Sequence, residues 1–347
     1  MIKIFLTLIT FLFISAGAVV HAQSASIVTG RIIDAQRAPV TGAAVTITNA
    51  ATNASQTATS NADGVFVFPQ LSPATYRIEV SAVGFQLASQ NNVIVSVAGT
   101  TTQNFQLEVA GPDEVITIAG QPDIIERDSG VVGTVIDRNF VENLPLNGRS
   151  FQTLIELTPG VVLTPAQVTS PGQFSVNGQR TNSNYFMLDG VGANSGTTPI
   201  ATSSQQAAGT LPNTTVVGGF NNLASVDELQ EFRVLTSSFA PEFGRTPGGQ
   251  IALVTRSGTN RYSGSVYNYL RNEIFDANTF FNNRAGIPRG KLRQNNFGFT
   301  FAGPLPFLNF GEGGPFFSSG RDRTFFSSGR DRTFFFLSYE GSRVRRT

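Results

Sequence analysis

Cysteine and tryptophan are absent from the 347 residues, histidine occurs once, at His21, and lysine twice, at Lys3 and Lys291. Without cysteine there is no disulfide framework, no thiolate nucleophile and no thiolate metal site. Charge is also scarce, at 14% of residues with a formal net charge of +1. Residues Met1 to Ala22 carry Lys3, an apolar run from Ile4 to Val20, and the small-x-small ending Val20-His21-Ala22. That pattern reads as a secretory signal peptide cut between Ala22 and Gln23. As a membrane anchor the run sits at the short limit of the roughly 20 residues that a spanning helix needs. Cutting there removes the one histidine, so the mature chain can build neither a Ser-His-Asp triad nor the usual zinc or haem sites. Only carboxylate chemistry stays open to it, and no cofactor is expected.

Glycine (35) and phenylalanine (30) are abundant by contrast. From Gln23 to Val109, β-prone runs recur at short spacing: Ile27 to Ile33, Ala43 to Thr48, Gln56 to Thr59, Val65 to Phe68, Tyr76 to Ala82, Val93 to Val97 and Thr102 to Val109. Gly, Pro, Asn or Asp bound each of them, and Asn61-Ala62-Asp63-Gly64 is a hairpin turn signal. A small β-sandwich follows. Gly30 to Ala35 (GRIIDA), Pro39 to Val45 (PVTGAAV), Asp63 to Phe68 (DGVFVF) and Ala74 to Phe85 resemble the carboxypeptidase regulatory-like domain. That resemblance implies a transthyretin-like sandwich, grouped with carbohydrate-binding-like folds, that serves as a spacer or binds glycan and is not itself a peptidase.

The stretch Phe174 to Val191 holds two apolar runs, Phe174 to Val176 and Tyr185 to Leu188. Asn177-Gly178 opens the polar segment between them and Asp189-Gly190 closes the second run, which is strand and turn chemistry. Asn177, Gly178, Gln179, Arg180, Leu188, Asp189 and Gly190 resemble the core motif of the plug domain of TonB-dependent outer-membrane receptors. Around it, Asp137 to Asn143 and Ser150 to Leu157 read as short helices, the first capped by Asp137. Asn143 to Arg149 (NLPLNGR), Leu157 to Val161 (LTPGV), Ala224 to Val234, Phe239 to Arg245 and Gly248 to Ile251 resemble the Oar-like group of these receptors. Residues 193 to 222 form a long polar loop, a candidate ligand-facing apex or a plain insertion. Glu228 with Glu231, or Glu242 with Asp189, could be drawn as an acid/base pair for glycoside hydrolysis, although caps, ion pairs and surface charge explain them more simply.

Ahead of this unit, Ala110 to Asp128 carries five acidic residues against Arg127 and reads as a linker. Within it the β-prone run Asp113-Glu114-Val115-Ile116-Thr117-Ile118 resembles the TonB box, the strand by which such receptors are engaged. An extended segment offers its backbone N–H and C=O groups to a partner sheet edge, so β-propensity matters more than particular side chains. An ordinary linker strand would look the same.

From Arg261 onward, 15 of the 30 phenylalanines fall in the last stretch, with 13 basic and 6 acidic residues. Ser263 to Arg271 places Val266 and Leu270 on one face. Asn296 to Ala302 sets Phe297, Phe299 and Phe301 against Asn296, Gly298, Thr300 and Ala302, and Thr333 to Arg343 sets Phe335, Leu337 and Tyr339 against Ser338 and Glu340. Apolar-out, polar-in dyads are the pattern of outer-membrane barrel strands, and Arg332 to Gly341 resembles the third-strand motif of Oar-like barrels. The scattered arginines suit anionic lipid head groups better than nucleic acid. The nine residues Phe316 to Thr324 recur unchanged as Phe325 to Thr333, as a recent duplication or an assembly error would leave them and a functional insertion would not. Three strands cannot close a barrel, so the chain is expected to be the N-terminal part of a longer receptor or the product of a truncated gene.

The expected fold is mainly β and multidomain. A signal peptide (1–22) precedes a transthyretin-like or Ig-like β-sandwich (23–109), a linker with the candidate TonB box (110–128), an α/β plug (129–260) and the first strands of an incomplete outer-membrane β-barrel (261–347). The resemblance implies an outer-membrane receptor with its N-terminal domain in the periplasm, energised through TonB and its inner-membrane complex, in contact with outer-membrane lipid and taking up a small ligand such as an oligosaccharide or a siderophore. An anchored glycan-binding or adhesion protein without transport is the alternative, and a carboxylate-dependent hydrolase a more distant one.

Overall fold

The computed structural model describes residues 26–109, 116–118, 130–143, 152–164, 173–180, 183–192, 224–239, 246–305, 331 and 333–346. The expected leader with its cut between Ala22 and Gln23, residues Asp113, Glu114 and Val115, the loop 193–222, Glu242 and nearly all of the tandem repeat lie outside them.

The first unit is a two-sheet sandwich. Its strands are β1 (Ser26–Ile33), β2 (Ala44–Asn49), β3 (Ser55–Thr59), β4 (Val65–Leu71), β5 (Ala74–Ser81), β6 (Ala88–Val95), β7 (Thr100–Thr102) and β8 (Phe105–Gln106). A further strand, β9 (Ile116–Ile118), completes the second sheet. One sheet runs β4-β1-β7 with β8 also on β1, and the other runs β3-β2-β5-β6-β9. Two-residue alternation turns Val28 and Ile32, Val45 and Ile47, Phe66 and Phe68, and Ile78 and Val80 into one core. Phe66 meets Phe68 edge-on at 6.0 Å and Phe105 at 6.2 Å. Each such side chain taken out of water contributes about 1.5–3 kcal/mol.

The turn signal at Asn61 is a side-chain-capped turn: its Oδ1 accepts from the N–H groups of Asp63 (3.0 Å) and Val65 (2.8 Å), and Gly64 takes φ +74°. The last expected strand of the sandwich divides in two. Arg31 N–H donates to the Asn104 side chain at 2.9 Å instead of to a backbone carbonyl, which interrupts the ladder between β7 and β8. Gly30 is required there, since a Cβ would lie 1.7 Å from the Gln103 carbonyl oxygen.

The middle unit comprises β10 (Val132–Ile136), helices α1 (Arg138–Asn143) and α2 (Gln152–Ile155), β11 (Val161–Thr164), β12 (Gln173–Val176), β13 (Tyr185–Leu188), β14 (Val191–Gly192), a 3-10 turn (Val226–Glu228), β15 (Leu229–Ser237) and β16 (Gln250–Thr255). Asp137 caps α1, its Oδ1 accepting from Phe140 N–H at 3.0 Å. The sheet order is β10-β15-β16-β13-β14, with β11 and β12 as a separate hairpin. The two runs of the Phe174 to Val191 stretch therefore pair with different partners. β12 lies antiparallel to β11, and β13 parallel to β16.

The third unit is a meander of β17 (Ser263–Asn272), β18 (Leu292–Pro304) and β19 (Phe334–Arg346), with helix α3 (Phe280–Arg284) in the first connection. On β18, Gln294, Asn296, Gly298, Thr300 and Ala302 are buried, while Phe299 is 39% and Phe301 44% exposed. Phe299 stands opposite both Val266 and Tyr339, and these exposed side chains form one apolar outer face. Among the described residues this sheet is open at both edges.

Candidate functional site

The residues of the expected plug motif form a junction rather than a cleft. Asn177 and Gly178 both adopt positive φ, 50° and 75°, the geometry of a tight type I′ turn, and Gln179 N–H closes it on the Val176 carbonyl at 2.9 Å. The Asn177 amide donates to the Thr236 carbonyl at 3.0 Å, and its backbone N–H to the Gly160 carbonyl at 2.8 Å. One side chain thus ties the β11–β12 hairpin to β15. Arg180 is exposed, and its carbonyl accepts from Ser183 N–H at 2.9 Å. Asn184, in the polar segment of the same stretch, is 1% exposed. It donates to the Phe174 carbonyl at 2.8 Å and accepts from Gly249 N–H at 3.0 Å, while Phe174 and Phe186 meet edge-on at 5.8 Å. Strand ends belonging to different sheets are held together in this way.

At the other end of β13, half-buried Leu188 precedes a second tight turn, Asp189 (φ 49°) and Gly190 (φ 81°), which reverses the chain into β14. The Asp189 carboxylate accepts from Thr255 twice, from N–H at 2.9 Å and from Oγ1 at 2.8 Å. It locks the exit of β16 just before the chain passes into β17. Glu228 is equally committed. It closes a capping box on Ser225 and accepts from Ser338 Oγ at 2.6 Å on β19. Among the described residues no group of three or more His, Cys, Asp or Glu side chains could hold a metal ion.

Contacts between units are polar and specific. Ser225 Oγ donates to the Glu340 carboxylate on β19, which also accepts from Tyr267 OH at 3.3 Å. The Arg256 guanidinium lies over the Phe336 ring at 5.6 Å. The inner face of the third sheet is therefore bonded to the middle unit. On the sandwich side, Val97 N–H donates to Glu231 and Arg233 Nη1 donates to the Ala98 carbonyl at 3.1 Å. Burial pushes the Glu231 carboxyl up to about 7, opposed by the Val97 hydrogen bond, and nearby Asp137 raises it further while Arg233 lowers it. Asp331 joins sandwich and third sheet, accepting from Asn53 at 2.8 Å and from Asn260 at 2.6 Å. Glu231 is visible in the sequence only as one of several carboxylates, because its partner lies 134 residues away.

Of the candidate TonB box, Ile116, Thr117 and Ile118 are described. They form β9, lying parallel to β6 with Ile116 opposite Ala88, Thr117 opposite Ser89 and Ile118 opposite Gln90.

Two family models match the chain: the carboxypeptidase regulatory-like domain over residues 27–108 and the outer membrane beta barrel domain over residues 254–347. The TonB-dependent transporter Oar of Myxococcus xanthus is 28% identical over 302 residues, covering 83% of this chain and 26% of the relative. The chain thus spans about a quarter of the length of that transporter. Among solved structures, the siderophore receptor PirA from Acinetobacter baumannii superposes with a TM-score of 0.37 at 22% identity, covering 50% of this chain and 22% of that one. The minor pilin GBS52 of Streptococcus agalactiae does so with a TM-score of 0.22 at 10% identity, covering 27% and 48%. The chain is a homologue of the Oar-like TonB-dependent transporters, an outer-membrane protein in which a carboxypeptidase regulatory-like domain precedes an outer membrane beta barrel domain.

Proposed function

We propose that residues 129–260 are the plug of a TonB-dependent receptor, that 261–347 begin the barrel wall around it, and that 23–109 stand in the periplasm. In this reading the receptor takes up a small ligand such as a siderophore or an oligosaccharide. The observation that carries it is the bonding of the inner face of the third sheet to the middle unit, through Ser225 with Glu340 and Ser338 with Glu228. A gate must be held by contacts that are individually modest and can be broken. Hydrogen bonds to charged groups contribute about 1.5–3 kcal/mol each, within what a mechanical pull can overcome. The motif from Asn177 to Gly190 keeps the gate's own strands together, so that it moves as a body. The run Asp113 to Ile118 is the engagement point for TonB.

The test is deletion of Val115–Ile118 in the receptor as the cell makes it, with a panel of radiolabelled ferric siderophores and labelled oligosaccharides. The reading predicts that a compound accumulated by the parent is still bound by the deletion variant but is no longer accumulated. Accumulation unaffected by the deletion contradicts it. Binding without accumulation in the parent itself would favour an anchored glycan-binding protein.

A further inference from the structure

The second sheet of the sandwich ends on a strand taken from outside the domain. β6 carries β5 on one side, and its other edge would be open but for β9. An open edge is a row of backbone donors and acceptors that will pair with any extended segment within reach. The width of this edge is set locally. The β5–β6 register slips between Tyr76 and Ile78, and Asn92 takes φ 59°, so a bulge interrupts the ladder after Gln90 before it resumes at Val93. The segment before the bulge is Ala88 to Gln90, the length of the strand that pairs with it.

Delivery is also built in. Gln86 N–H donates to the Glu108 carbonyl at 2.9 Å and Phe85 bridges Val109, which pins the chain beside the start of β6 a few residues before Ile116. A segment tethered that closely meets its docking edge at high effective concentration, so pairing in cis competes strongly with any partner in solution. The far end of β6 runs into Val97 and Ala98, the two residues gripped by Glu231 and Arg233 of β15. One strand thus holds β9 along its edge and the middle unit at its tip.

We propose that the outer edge of β6 is a strand-binding site, that β9 is its occupant at rest, and that the sandwich is a latch which withholds residues 116–118 from a partner protein presenting its own open sheet edge. The latch rests on the reading of that partner as TonB, but the occupied edge does not. A partner that captures the strand must displace it from β6, and any load on β6 passes through its tip to Glu231 and Arg233. Ligand uptake is then limited by release of β9.

A chain without cysteine permits a direct test. Ser89→Cys and Thr117→Cys are introduced together, with each single substitution as control, into the receptor in isolated outer membranes. The structure predicts that mild oxidation closes an intramolecular disulfide without ligand. The closed form should be captured by the purified periplasmic domain of TonB about tenfold less well than the reduced form, as expected when a tethered competitor can no longer leave, and reductant should restore capture. Failure of the disulfide to form would show that β9 does not occupy this edge. A disulfide that forms while capture is unchanged would refute the latch. A parent chain that TonB does not capture at all would sink both the proposed function and the latch, while the disulfide would still decide whether β6 holds the strand.

Discussion

Glu231 sits where the sandwich meets the middle unit and is buried there with Asp137 nearby. Its folded value of about 7 lies above the ordinary 4.5, so the folded state holds the proton more tightly than the unfolded chain does. The stabilisation is complete below 4.5 and is lost as pH rises through about 7. At roughly 1.4 kcal/mol for each tenfold gain in proton affinity, the difference amounts to about 3 kcal/mol. The thermal unfolding temperature of the parent should therefore fall between pH 5 and pH 8, while Glu231→Gln, neutral throughout, should flatten that dependence. An equal slope in both proteins would remove Glu231 from the interface energetics. None of this is legible in the sequence, where Glu231 looks like one acid of a cluster. By contrast, the tight turns at Asn177-Gly178 and Asp189-Gly190 are readable, because positive φ imposes a residue preference that side-chain identity reports directly.

At the level of strands, alternation is the readable signal wherever one face is buried and the other is not. Phe297, Phe299 and Phe301 against Asn296, Gly298, Thr300 and Ala302 can be assigned to faces before any coordinates, and β18 has those faces. The pairing of β12 and β13 with different sheets is not readable, since a tight turn after one strand says nothing about where the next one docks. Parallel pairing of β9 with β6 is hidden for the same reason: backbone ladders leave little trace in side chains. The faces themselves make a prediction. Phe299→Arg places a cation on the lipid-facing side and should cost about 2–4 kcal/mol, seen as loss of assembled, heat-modifiable protein in outer membranes. Thr300→Arg, one residue on and facing inward, should assemble but weaken contact with the middle unit. Equal assembly of the two variants would mean that the faces are assigned wrongly.

Among the described residues, three units are fastened at polar points: Glu231 and Arg233 to the sandwich, Asp331 between sandwich and third sheet, and Ser225 and Glu228 to β19. Such fastenings hold a resting state without making it permanent, as a gate requires. Under the proposed function, passage of a ligand depends on movement of the middle unit against the third sheet. That movement can be blocked by Ser225→Cys with Glu340→Cys in this cysteine-free chain, and accumulation of whichever labelled compound the parent takes up is the quantity to measure. Gating by movement predicts that oxidation leaves surface binding intact and stops accumulation, and that reductant restores it. Accumulation at the parent rate with the disulfide fully closed would contradict it.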